Sequence, residues 1–242
     1  EYLVEIKQKN PKGKSPEILI TQNGKSVDWH IDSMHNFLPK KVISYTSGAN
    51  ETLSFPFMDY YDEYADYTAK RAFGTEKGND YEPRFYLMDY TTNIGVVITN
   101  LVYSNSKQIK EISSTININS LRSFQIVIQT KHKAAPIGGV KLTNDLKNWI
   151  LFLKKSATCF NYIEKEDKYI LDFYNNKATK NALVKYFPKA IDFYTALYKI
   201  ELLNNLMVDD RYLAEIKKKR RARKSLIRNP IVPEKDKVLN YS

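Results

Sequence analysis

A chain of 242 residues that is 43% hydrophobic and 13% aromatic carries enough apolar surface for one large domain or two modest ones, which excludes a disordered polypeptide. No apolar run approaches the ~18 residues that span a bilayer. No N-terminal stretch joins basic, apolar and small-residue regions, so a soluble, unsecreted, cytoplasmic protein with no membrane partner is expected. The net charge of +11 is local: nine Lys/Arg lie between Arg211 and Arg228 against Glu215 alone, so any anionic partner is expected there.

A single cysteine, Cys159, cannot close an internal disulfide, and with His30, His35 and His132 it gives no zinc-ligand spacing. A reducing compartment and no metal site follow as expectations. The chain starts at Glu1 with a strand-like EYLVEI, its first methionine is Met34, and VLNYS at the other end reads as half a strand. An internal segment of a longer protein is therefore expected.

In chain order, EYLVEI and EILIT alternate like strands around KQKNPKGKSP, whose Pro11, Gly13 and Pro16 punctuate a turn, so residues 1–20 read as a hairpin. A short amphipathic stretch from Trp29 to Leu38 leads into KVISY, an apolar strand that ends at a Ser47-Gly48 turn. After Pro56, FMDYYDEYADYTAKRAF has helical spacing, and Gly74 to Pro83 reads as polar loop. RFYLMDY is a strand candidate. Thr91 or Thr92 then caps a helix with Ile94, Val97, Ile98, Leu101 and Val102 on one stripe.

RSFQIVIQT predicts a strand, and Thr143-Asn144-Asp145 a capped helix with Leu146, Trp149, Ile150 and Leu153 on one face. ATCFNYIEKEDKYILDFYN reads as strand, polar turn and strand. From Ala178 to about Met207 the chain is helical with a break after Phe187 imposed by Pro188, and Asp209-Asp210 cap a last, basic helix. Pro230 and Pro233 mark RNPIVPEKDK as extended. The expected fold is α+β: a mixed part over 1–142 with an N-terminal hairpin, a mainly helical lobe with one β-hairpin over 143–228, and an extended linker over 229–242.

Several motifs have a chemical and a plain reading. Gly13-Lys14-Ser15 looks like the end of a phosphate-binding loop, but Gln8 stands where the first glycine is needed and Pro16 precedes a strand, so the hairpin tip is preferred. Asp89 and Asp172 end apolar strands as a magnesium-binding aspartate would, yet Tyr90 and Phe173 follow in place of a glutamate. Asp59, Asp62, Glu63 and Asp66 share one helical side, either as metal or acid/base carboxylates or, more commonly, as a solvated face, with Tyr60, Tyr61, Tyr64 and Tyr67 packing inward. No catalytic constellation can be assembled from three histidines and one cysteine.

Thr46-Ser47-Gly48-Ala49-Asn50 invites comparison with the serine-glycine signature of ABC-type ATPases, where a hydroxyl and backbone N–H groups at a helix start meet a phosphate; a strand-to-helix turn is the plainer reading. The run Lys217, Lys218, Lys219, Arg220, Arg221, Arg223 and Lys224 suits a nucleic-acid backbone, an acidic partner or intramolecular surface, or plain solvation. No aromatic-rich signature accompanies it, so base readout is not implied.

The string LPKKVISYTSGANETLSFPF resembles the restriction system-associated AAA family ATPases, ABC/SMC-like proteins of bacterial defence loci. RFYLMDYTTNIGVVITNLVY, ALYKIELLNNLM and VPEKDKV are similar to further segments of the same family, so the resemblance runs the length of the chain. It implies the central part of an ATPase head, with Ser47, Gly48, Asn50 and Glu51 near the nucleotide or at a lobe boundary. ATP and Mg2+ would belong to the full-length protein, with DNA, a nuclease or a second head as partners. The phosphate loop, signature and catalytic glutamate are absent, so no hydrolysis or cofactor is expected of this chain alone. The alternative is a self-standing basic module that binds nucleic acid or an acidic protein.

Overall fold

The computed structural model describes residues 3–12, 17–28, 39, 41–46, 51–75, 85–89, 92–116, 120–131, 139–140, 142–222 and 230–242. The chain forms two compact units, Glu1–Val42 and Ile43–Ser242. In the first, β1 (Val4–Lys9) and β2 (Glu17–Gln22) form the expected antiparallel hairpin, with Val4 opposite Gln22 and Lys9 opposite Glu17. Asn23 and Gly24, both at positive φ (51° and 76°), then turn the chain into β3 (Lys25–Ser26). Asn-Gly suits this hairpin because positive φ at both central residues matches the twist of the strands. The hairpin tip at residues 13–16 and the Trp29–Leu38 stretch lie outside the described residues.

The second unit is α+β. β4 (Val42–Tyr45) lies beside β5 (Phe85–Met88), and between them runs α1 (Glu51–Ala72), which begins five residues before Pro56. α2 (Asn93–Tyr103) carries the anticipated stripe, with Ile98, Leu101 and Val102 buried. α3 (Ser106–Ile116) follows without having been foreseen. The main sheet comprises β6 (Ser123–Gln129), β7 (Cys159–Ile163), β8 (Lys168–Tyr174) and β9 (Leu239–Tyr241), in the spatial order β7-β8-β6-β9 with every pair antiparallel. Alternation along β6 sends Phe124, Ile126 and Ile128 to one buried face, and the register sets Phe173 and Leu171 opposite the first two. The stacked Phe124 and Phe173 rings lie 4.7 Å apart.

α4 (Asn144–Ser156) starts where expected, with Thr143 Oγ1 accepting from the Leu146 amide. The break after Phe187 is also present, separating α5 (Lys177–Tyr186) from α6 (Ala190–Leu202). Every residue from Phe193 to Ile200 is buried, including Lys199, whose ammonium sits 4.8 Å from the Trp149 ring centroid. α6 is therefore a core helix, packed by α1, α2, α4 and β9. The Tyr86 ring of β5 lies tilted against Tyr198 of α6 at 4.9 Å, its hydroxyl is 3.2 Å from Thr195 Oγ1, and the Leu87 amide donates to Tyr198 Oη. Burying each ring contributes roughly 2–3 kcal/mol.

Two expectations about organisation change. The main sheet joins β6 to β7 and β8, so the compact units divide at residue 42 and a boundary at residue 142 would cut through paired strands. The expected linker over 229–242 ends in β9, because Leu239 to Tyr241 satisfy the free edge of β6 and the Gln125 and Ser242 amides exchange hydrogen bonds. Tyr241 reaches α2 at Gly95, where an added Cβ would stand 3.0 Å from its hydroxyl. Among the described residues, no helix is long and apolar enough to cross a membrane.

Asn204 holds this closure in place: its Oδ1 accepts from the amides of Val238 (2.7 Å) and Leu239 (3.2 Å). Asn204→Ala should leave both amides without that acceptor and destabilise the unit by roughly 1–3 kcal/mol. Hydrogen exchange should show protection lost first at residues 238–242, and unchanged protection there would reject the anchor.

Candidate functional site

The basic helix is α7 (Asp210–Arg221), opened by Asp209, whose Oδ1 accepts from the Arg211 and Tyr212 amides. Leu213, Ile216 and Arg220 fall at helical spacing on one buried side. Of the surfaces that suit the basic run, Arg220 meets the intramolecular acidic one and not a nucleic acid or a separate partner: its side chain is fully buried, and Nη2 donates to Asp62 Oδ2 of α1 at 2.7 Å. Asp62 itself was expected on a solvated face and is 2% exposed. One turn along α1, Asp66 Oδ2 accepts from Lys217 Nζ at 3.1 Å. The i, i+4 carboxylates of one helix thus meet the i, i+3 cations of the other.

The physical reason is geometric. Periodicity places position 220 inward whatever its residue type, and a buried guanidinium needs a fixed carboxylate because an unpaired charge there is strongly disfavoured. Lys218, Lys219 and Arg211 remain exposed, with Lys219 paired to Glu215 at 2.5 Å on its own helix. Arg221 closes α7, but its side chain, like Arg223 and Lys224, lies outside the described residues. So do Ser47, Gly48 and Asn50; Glu51 is the first residue of α1.

A second feature is a cavity of about 340 Å³ within the second unit. Its walls come from α1 (Met58, Tyr61), the end of β5 and the turn after it (Leu87, Asp89), the end of α6 (Glu201) and the segment 230–237. Thr92 shapes the turn: its Oγ1 donates to the Leu87 carbonyl and accepts from the Asp89 amide, both at 3.1 Å. Asp89, read from the sequence as a strand-end aspartate, is 5% exposed and borders this space. Asp172, read the same way, takes the cross-strand role, accepting from Gln125 Nε2 at 2.7 Å.

Burial raises the Glu201 carboxyl to about 8, an effect opposed by the Lys237 charge and reinforced by that of Asp89. Burial also pushes the Tyr61 phenol well above its ordinary value. Among the described residues, Glu201 makes no ion pair within 4 Å. Sequence reasoning passed over Glu201, although a lone acid closing the apolar run FYTALYKIELL was a signal. Among the described residues no three His, Cys, Asp or Glu side chains are grouped to hold a metal.

No family model, curated protein or solved structure matches this chain.

Two outcomes are expected from these sites. Arg220→Ala should cost about 3–5 kcal/mol in denaturant unfolding by stranding Asp62, while the double replacement Asp62→Leu with Arg220→Met should cost far less. Equal losses would show that the pair acts through packing alone. The folded chain holds the Glu201 proton between the ordinary 4.5 and about 8, so the stabilising share is complete at low pH and fades as pH rises through that window. Glu201→Gln should flatten the fall in stability across this window by roughly 2 kcal/mol, measured by unfolding at its two ends.

Proposed function

We propose that this chain is an internal region of a bacterial defence-associated ABC/SMC-like ATPase, in which α1 and α7 couple a nucleotide-proximal motif to a DNA-facing surface. The observation that carries this reading is the ion-pair ladder Asp62–Arg220 and Asp66–Lys217. α1 starts at Glu51, the last of the four positions Ser47, Gly48, Asn50 and Glu51, and the ladder ties its middle to the basic helix. A shift of α1 at its N-terminus would move α7 with it, because separating a buried pair leaves two uncompensated charges. Ser47, Gly48, Asn50 and Glu51 would form the nucleotide-proximal end. ATP and Mg2+ would be held by flanking sequence, so this chain alone would not hydrolyse ATP.

The DNA-facing part is now narrower than the whole basic run. Arg220 is buried and Lys217 is engaged by Asp66 of α1, which leaves Arg211, Lys218 and Lys219 exposed among the described residues, with Lys219 paired to Glu215 of its own helix. These exposed cations also suit the second reading, a basic module that binds nucleic acid or an acidic protein without nucleotide. A gene that encodes a glycine-rich phosphate loop upstream of Glu1 favours the first reading; a start codon close by favours the second.

Lys218→Glu with Lys219→Glu should weaken duplex DNA binding by roughly ten-fold or more and lower the salt slope by about 2. Affinity unchanged at low salt would remove DNA from the proposal. In the full-length protein the Asp62→Leu, Arg220→Met pair should retain basal ATP turnover but lose its stimulation by DNA. Retained stimulation would sink the coupling role of the ladder.

A further inference from the structure

The cavity beside Glu201 is not explained by the ATPase reading, and its construction argues for an occupant. Its outer wall is hydrogen-bonded in place: Gln129 Nε2 donates to the carbonyls of Lys235 (2.6 Å) and Lys237 (3.0 Å), and Asn204 receives the two amides that follow. The space is therefore built by anchored backbone. At about 340 Å³ it lies within the range of small-molecule sites, and its exposed lining surface is mainly apolar although half of the lining residues are polar or charged.

The charges on the lining have a sign. Asp89, Glu201 and Glu234 border the space against Lys237 as the single cation among the described lining residues. Among the described residues, the remaining titratable groups that act on Glu201 or are acted on by it are the phenols of Tyr61, Tyr194 and Tyr241, all pushed further toward the neutral form by burial. A carboxyl in such a place is costly to ionise, and a cation entering the cavity would offset that cost. An anion would meet the opposite field.

We propose that this cavity binds a small organic amine, its ammonium group received by Glu201 and its apolar body by Met58, Leu87 and Ile231. The inference stands apart from the ATPase reading, since it uses neither the motif at residues 47–51 nor the basic helix. Binding is coupled to a proton: the ammonium enters charged, Glu201 gives up its carboxyl proton to solvent, and the pair forms as ammonium and carboxylate. Affinity should accordingly rise with pH up to the range where Glu201 is already ionised.

The test uses 2-phenylethylamine and its neutral analogue 2-phenylethanol, titrated calorimetrically into the intact chain near pH 7 in two buffers of different ionisation enthalpy. The amine should bind at least ten-fold more tightly than the alcohol, with release of close to one proton per site. Glu201→Gln should weaken the amine about ten-fold and abolish proton release, while Lys237→Met should strengthen it by removing the competing ammonium. Equal affinity for amine and alcohol, no amine binding at roughly 10 mM, or proton release that persists in Glu201→Gln would each overturn the proposal. A Glu201→Gln chain that fails to fold leaves the amine-to-alcohol ratio and the Lys237→Met response to decide it.

Discussion

α6 imposes the main constraint on the second unit. A helix buried from Phe193 to Ile200 must be enclosed on every side, and no single neighbouring element can do that. α4 and α2 take two flanks, β5 covers another through the Tyr86 and Tyr198 rings, and the main sheet closes the rest through β9. The polar groups of the surrounding elements are then arranged around this demand. Thr195 meets the Tyr86 hydroxyl, Tyr198 receives the Leu87 amide, and Lys199 rests on Trp149. Glu201 is where the enclosure ends, and the cavity begins at that point.

The charge distribution has two levels. Seen along the sequence, the basic run and the acidic stretch of α1 are separate features, each able to face water. In the fold they face each other in part, and the inward members of each neutralise one another while the outward members keep the local positive surface. The nine Lys/Arg between Arg211 and Arg228 therefore overstate what an approaching anion meets at α7. Docking also removes some of the like-charge repulsion that would otherwise oppose a helix of this composition.

Elements with local signals were legible. α2 showed its stripe, α4 its Thr143 cap, and the β7–β8 hairpin its EKED turn, where Asp167 takes a left-handed conformation at φ 45°. β3 and α3 escaped, although Asn23-Gly24 and the spacing of Ile109, Ile112 and Ile116 carried usable signals. What sequence could not supply was pairing at a distance. Nothing local in LNY says that it completes the edge of β6, and nothing in KKKRRARK says that one arginine turns inward to an aspartate on α1. The cavity was illegible for the same reason, since its walls come from four separated stretches.

The β6–β9 pairing has a consequence for how the chain reaches its fold. Gln125 and Ser242 are 117 residues apart, yet they exchange backbone hydrogen bonds at the rim of the main sheet. During synthesis, β6 can pair with β8 as soon as the hairpin emerges, but its other edge must wait for β9. Over that interval an apolar strand presents open amides and carbonyls, the geometry that recruits foreign strands. Closing so long a loop is also the entropically slowest kind of contact to form. β9 thus acts as a latch on vectorial synthesis, and shielding of β6 would matter most just before β9 emerges.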